Sequence, residues 1–404
     1  MLRCLLLFAA LASGAFAQST AHLFGQIDDI LTTLSQITGW KVRHPIPAQM
    51  LRQETFRGLM EGQMKKSNPK EIRAEELTLK MLGLVPQDFN LASESVDLVS
   101  EQAAAFYDYT KKRLFVLDST EPGPEQDLAL AHELAHALAD QQYSLGKYLR
   151  KDNPDDDAAL AREAVMEGQA TWLSLAYLAK RAGGKAEVPR AFLETPDLLG
   201  ASGTDFPVYS NAPLYIRESL VFPYNDGLRF QESLYRRMGR GSFDEVFLHP
   251  PKSSQNILHP DTYFAGTGPE MPMPPALDSF AGKSGQAFRV LVDGTLGEFD
   301  LSTLLRQYAG DKDGRPAAAH WRGAAYRLYE HKKEGYPVLA CTFQWDTPEA
   351  AREYFRLYQQ VLRGKWNSMA VSSATEDRFT GQGDSGRFDV KVSGTLVQSV
   401  EGLR

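Results

Sequence analysis

The sequence predicts an α+β protein: a mostly helical part carrying one β-hairpin, then a smaller C-terminal antiparallel sheet with one long helix. Three observations carry this. Several stretches before residue 184 repeat apolar side chains at helical spacing. Residues 102–118, QAAAFYDYTKKRLFVLD, are instead two short aromatic and β-branched runs split by the polar TKK, the pattern of a hairpin. Beyond the proline-rich GTGPEMPMPPAL at 266–277, the runs AYRLYEH, YPVLACTFQW, EDRFTGQG and RFDVKVSGTLVQSV read as strands.

The elements follow in order. MLRCLLLFAALASGAFAQS has a positive start at Arg3, an apolar run too short to span a membrane, and an Ala15-Phe16-Ala17 cleavage pattern. It is expected to be a signal peptide, residues 1–17, of an exported protein, periplasmic or extracellular, with no stable membrane insertion after cleavage. Cleavage takes Arg3 with it and moves the net charge from −7 to −8. No basic surplus points to nucleic acid, and no polybasic run flanks an apolar segment. Cys4 lies in the leader, so the mature chain keeps Cys341 alone and has no internal disulfide. In YPVLACTF that cysteine reads as a small buried hydrophobe.

Leu23, Ile27, Ile30, Leu31, Leu34 and Ile37 mark a first helix ending at Gly39, and 47–84 holds two more. After the hairpin, Glu121-Pro122-Gly123-Pro124 breaks the chain and a helix starts near Glu125. Another begins after a cap at Asn153 or Asp155 and runs to about Arg181. Thr347-Pro348 opens the C-terminal helix, whose apolar face is Ala351, Tyr354, Phe355, Tyr358 and Leu362; Trp345, Tyr354 and Phe355 are expected in the core. The expected organisation is a leader at 1–17, an N-terminal helical segment at 18–95, a core at 96–270 and a C-terminal α+β module at 276–404.

The chemistry centres on LALAHELAHALADQQY, 128–143. Residues four apart on a helix share a face, so His132 and His136 point the same way and can hold one Zn²⁺. Glu133 stands where a general base would sit, next to a zinc-activated water. Leu130, Ala131, Leu134, Ala135, Ala137 and Leu138 give both flanks an apolar surround. A third ligand is needed. In the following helix Glu163 and Glu167 stand four apart among Ala, Val and Met, where an unpaired carboxylate is costly. Glu167 is the expected ligand, because Gly168 and Ala170 would let its helix approach the motif helix closely; Glu163 lies one turn behind.

HELAHALAD resembles the active-site helix of thermolysin-type gluzincins, which pair two histidine ligands and a catalytic glutamate with a glutamate ligand from a later helix. Asp140 matches an aspartate at the same spacing there, and the resemblance implies that it orients a ligand histidine. The interval to the third ligand is longer here, and EGQAT stands where that family has NExxSD. EQAAAFYDYTKKRLFV, HELAHALADQQY, EAVMEGQAT, FPYNDGLRF and HPPKSSQNILHP together resemble a group of exported prokaryotic HExxH proteins. Two departures are Gln142, where that group often has histidine, and AAAFYD for VAGFYD. The resemblance implies a zincin-like metallopeptidase core, a zinc site completed by Glu167, and peptide or protein substrates. In gluzincin-like peptidases a strand beside the motif helix pairs with extended substrate, so LFVLD or AAAFYDY would be that edge.

Peptide hydrolysis also needs a donor to the tetrahedral oxyanion. Tyr224 and His259 are the candidates, with His249 as a second option, each beside proline in a loop or at a helix start. His320 and His331 have no partner at metal spacing. The expected function is an exported zinc metallopeptidase with Glu133 as general base; the alternative is a catalytically inactive zinc-containing envelope protein.

Overall fold

The computed structural model describes residues 20–118, 123–194, 206–278 and 282–404; the expected leader lies outside them. The fold is α+β. The first helix runs Thr20–Thr38 and stops at Gly39, whose φ of +82° is the left-handed conformation that ends helices. Its buried stripe of Ile27, Ile30, Leu31, Leu34 and Ile37 packs on the helices Pro124–Tyr143 and Asp156–Arg181. Helices Gln53–Lys66 and Pro69–Leu82 follow. Two further elements are not visible in the periodicity. Ala48–Leu51 is a strand, β1, and Leu91–Gln102 is a helix whose cap, the Asn90 side chain, accepts from the Ser93 N–H at 3.0 Å.

The hairpin is β2 (Ala105–Asp108) and β3 (Arg113–Leu117). β1 adds in parallel to β3, so the order is β1-β3-β2. LFVLD is therefore the central strand and cannot offer an edge; β2 alone of the two expected runs lies outermost. Both faces of the hairpin are buried. Ala105, Tyr107, Leu114 and Val116 join the main core, while Phe106 and Phe115 stack at 4.8 Å in a second cluster with Phe56, Met60 and Leu117. That double burial explains the nearly continuous apolar run. It also builds the N-terminal segment into this sheet, through β1 and through Phe56 and Met60.

FPYNDGLRF is not a loop or a helix start. It lies inside the helix Leu214–Met238, with Pro223 in its interior. An interior proline costs about 3 kcal/mol. Burial of Tyr215, Leu220, Phe222, Tyr224, Leu228, Phe230 and Leu234 on one helix offsets that cost.

The proline-rich segment at 266–277 has almost no regular structure but is docked on the sheet. The Glu270 N–H donates to the Arg322 carbonyl at 2.7 Å, and the Thr342 hydroxyl to the Met273 carbonyl at 2.9 Å. The C-terminal sheet has seven antiparallel strands: β4 (Phe288–Thr295), β5 (Trp321–His331), β6 (Pro337–Trp345), β7 (Met369–Ala374), β8 (Arg378–Gly383), β9 (Gly386–Ser393) and β10 (Leu396–Leu403). Their order is β4-β5-β6-β10-β9-β8-β7. The long helix, Pro348–Lys365, starts at a Thr347 cap and buries Tyr354, Phe355 and Tyr358 against this sheet. Trp345 and Cys341 are core residues as well. Helices Glu298–Ala309 and Asp311–Ala318 accompany the one expected. Among the described residues no helix is long and apolar enough to cross a membrane.

Two buried polar contacts join the parts. Lys365 Nζ reaches Glu401 at 2.6 Å and the Met81 carbonyl at 2.7 Å, tying the end of helix Pro69–Leu82 to the sheet. At the start of helix Asp156–Arg181, Asp157 is fully buried; its Oδ1 accepts from the Ser254 N–H at 3.0 Å and its Oδ2 has no partner. Burial, with the charge of nearby Asp300, pushes the Asp157 carboxyl up to about 8. A raised folded value means that stability is full below the ordinary carboxyl range and is lost as pH climbs towards 8. Asp157→Asn cannot ionise. Its stability relative to the native protein is expected to rise between pH 4 and pH 8 and then level off; urea midpoints running parallel across that range would refute this.

Candidate metal centre

The motif helix Pro124–Tyr143 opens on Pro124 at its first turn and closes at Ser144, in the left-handed conformation with φ 55°. Leu130, Ala131, Leu134, Ala135, Ala137 and Leu138 are all within 2 % of full burial. Between these flanks His132 and His136 present their Nε2 atoms 3.1 Å apart. Helix Asp156–Arg181, capped by the Asp155 carboxylate on the Ala158 N–H, brings Glu167 to them. Its Oε2 lies 3.0 Å from His132 Nε2 and 3.3 Å from His136 Nε2. All three side chains are buried.

Hydrogen bonding cannot satisfy this triangle. A ring proton points along one line, and the atoms at the corners of a near-equilateral triangle are not collinear. One proton serves one edge, and lone pairs face each other on another. A cation among the three donors serves all of them, and this buried group could hold a metal ion. Without one, burial alone would raise the Glu167 carboxyl, but His136 and His132 hold it well below the usual carboxylate range. Burial lowers His132; His136 is raised in spite of burial, by the Glu167 charge. Binding a metal to these donors displaces any proton that the histidines hold towards Glu167. Glu167→Ala is expected to weaken zinc binding by at least about 100-fold, beyond the 10–100-fold of an outer partner. Glu163→Ala should retain the metal. Metal content after dialysis against buffered zinc measures both, and equal loss in the two variants would refute Glu167 as the ligand.

Glu133 is not one of these three convergent donors. Its Oε2 accepts from the Tyr107 N–H of β2 at 2.8 Å. Burial pushes its carboxyl up to about 8, with Glu167 reinforcing the shift and His136 and the Tyr107 N–H opposing it. Glu133 and His136 share the wall of a cavity of about 300 Å³, with Met60, Tyr107, Lys111 and Met166 among the lining. Tyr107 is a site residue that sequence reasoning missed. Its hydroxyl donates to Asp140 at 2.9 Å, and nothing in local spacing links positions 33 apart. Asp140 also accepts from Lys112 Nζ at 2.5 Å and from the Leu145 N–H at 2.9 Å. Among the described hydrogen bonds it has none to a ligand histidine. It acts on His136 through charge and holds the hairpin to the motif helix.

Tyr224 comes to the same centre from helix Leu214–Met238. Its ring stacks on His132 at 5.8 Å and 29°. Its buried hydroxyl lies beside the Glu167 carboxylate, which takes part in raising it through charge and hydrogen bonding. Burial and the nearby Glu167 and Glu133 carboxylates hold the phenol protonated. His259 is placed elsewhere, between two five-residue helices, with Nε2 on Glu298 Oε1 at 2.7 Å. His249 is exposed and bonds Glu245 at 3.1 Å. Neither lines the cavity at Glu133.

The helix of Glu167 packs on the motif helix as expected, but Gly168 is not what allows it. Gly168 is turned about 100° from Glu167, and it meets Gly227 of the Tyr224 helix rather than the motif helix. A Cβ on Gly168 would lie 2.0 Å from the Gly227 carbonyl carbon, and one on Gly227 would lie 2.2 Å from the Ala164 carbonyl oxygen.

Residues 288–404 match the model of a family described as a domain of unknown function, DUF8575. The match covers the C-terminal sheet and its helices, and none of the metal centre. No curated protein and no solved structure gives a significant match to the chain.

Proposed function

We propose that the protein is an exported zinc metallopeptidase. The observation that carries this is what one helix brings together: His132 and His136 converge with Glu167, while Glu133 lines the adjoining cavity with His136. The donors fit zinc. Ligands 2.0–2.1 Å from a tetrahedral ion are about 3.3–3.4 Å apart, against 3.0, 3.1 and 3.3 Å here. Zinc held there would polarise a peptide carbonyl and lower the pKa of water.

The chain's own groups supply the rest. Glu133 accepts the proton of the attacking water and returns it to the leaving amine, with the Tyr107 N–H fixing its orientation. The Tyr224 hydroxyl, held protonated beside Glu167, would turn from that carboxylate to donate to a developing oxyanion. β2, outermost in its sheet and lining the cavity through Tyr107 and Asp108, offers an extended peptide a strand to pair with. The test is hydrolysis of a reduced, unfolded protein by the zinc-loaded mature chain. Activity that a chelator removes and added zinc restores supports the reading. Zinc bound at one per chain with no cleavage overturns it in favour of an inactive zinc-containing envelope protein.

A further inference from the structure

A second, larger cavity of about 720 Å³ lies between helices Pro69–Leu82, Leu91–Gln102, Asp156–Arg181 and Leu214–Met238 and strand β4. Its helical wall is mainly apolar, with Leu79, Leu98, Ile216 and Phe299. Polar side chains around it are already engaged. Arg73 and Arg289 both reach Glu330, at 2.8 Å and 2.5 Å, and Asp293 pairs with Arg327 at 3.7 Å. The hydroxyls of Thr78, Ser95 and Ser219 donate to carbonyls of their own helices. What the lining leaves open is main chain. Arg289, Val290, Leu291, Val292, Asp293 and Thr295 all face the cavity. Successive side chains of a strand point to opposite sides, so β4 meets the cavity along its edge. β4 ends its sheet and pairs on one side only, with β5. The Lys332 N–H donates to the Ala287 carbonyl, which turns residues 287 and 289 to β5 and Val290 outward. Beyond the bulge at Leu291, the Leu296 N–H donates to the Ala324 carbonyl, which turns Asp293 and Thr295 outward. Asp156 covers the Thr295 N–H at 3.4 Å. The backbone groups of Val290, a residue 49 % exposed, and of Asp293 face the cavity.

We infer that this cavity binds an extended, uncharged apolar peptide segment of another protein, added as an eighth strand on β4. Its main chain would pair with Val290 and Asp293, and alternate side chains would enter between the helices. The paired charges of the lining match an uncharged segment, and the open strand edge selects a peptide over other apolar ligands. None of the three metal donors lines this cavity, so the site is independent of any turnover and metal-free protein is the material to test. The probe is a fluorescein-labelled, C-terminally amidated hexapeptide alternating valine and threonine, followed by anisotropy. It should bind saturably at one per chain. The same peptide N-methylated at every residue keeps its apolar side chains but cannot donate, and should bind at least about tenfold more weakly, the loss expected of two hydrogen bonds. Val290→Pro removes an outward N–H and spares the β4–β5 ladder. It should weaken the unmethylated peptide at least about tenfold, with the circular dichroism unchanged. The methylated peptide tests the pairing without altering the protein. Equal affinity for both peptides would overturn the assignment in favour of a merely apolar pocket. Affinity indifferent to Val290→Pro would place the peptide elsewhere and overturn it too, as would no binding.

Discussion

In zinc-loaded protein, Glu133→Gln is expected to lower hydrolysis of an unfolded substrate by about 10²–10⁴-fold, the worth of a general acid–base, with zinc content and thermal midpoint close to native. The structure separates these readouts. Glu133 is not one of the three convergent ligands, so the metal should remain. Glutamine has the same shape, and its amide oxygen can still accept the Tyr107 N–H that Glu133 accepts at 2.8 Å. The amide nitrogen then replaces the other carboxylate oxygen, and an amide cannot take the proton. Full activity in a variant that keeps its zinc would remove Glu133 as the base. Loss of zinc together with activity would instead make Glu133 part of the metal's support.

What the sequence makes legible here is what lies within a helical turn or a hairpin. His132, Glu133 and His136 fall on one helix by spacing alone, and the apolar surroundings of Glu167 single it out as a buried carboxylate in need of a partner. Contacts between distant segments are not written in any local pattern. β1 is four residues long and takes its partner from positions more than 60 later. Tyr107 reaches Glu133 through a backbone N–H, which leaves no trace in side-chain identity. Pro223 reads as a break because its cost is local, whereas the burial that offsets it comes from all along the helix. In the C-terminal module, β7 is exposed along nearly all its length, so no apolar alternation marks it. His259 stands beside Pro260, as a loop residue facing a cleft would, yet its partner is Glu298, 39 positions on.

Gly168→Ala is expected to destabilise the protein by more than about 3 kcal/mol, beyond the usual range for overpacking, and to weaken zinc binding as well. The usual range reflects side chains that can rotate aside. Here the added methyl would meet backbone: the carbonyl carbon, oxygen and Cα of Gly227 at 2.0, 2.3 and 2.5 Å. Contact between carbon atoms is comfortable only near 3.5–4.0 Å, so the two helices would have to separate by more than an ångström (order of magnitude) over the crossing. Glu167 is the preceding residue on one helix, and Tyr224 lies one turn before Gly227 on the other. Separation would draw the carboxylate from His132 and His136, and the phenol ring from its stack on His132. Gly58, which has nothing within 4 Å of a built Cβ, is the control. Gly58→Ala should leave the urea midpoint at or slightly above native, since alanine favours a helix interior. Equal midpoints and equal zinc content for Gly168→Ala and the native protein would mean that the two helices do not cross at Gly168 and Gly227. The same outcome would remove the reason for Tyr224 to stand over the metal centre.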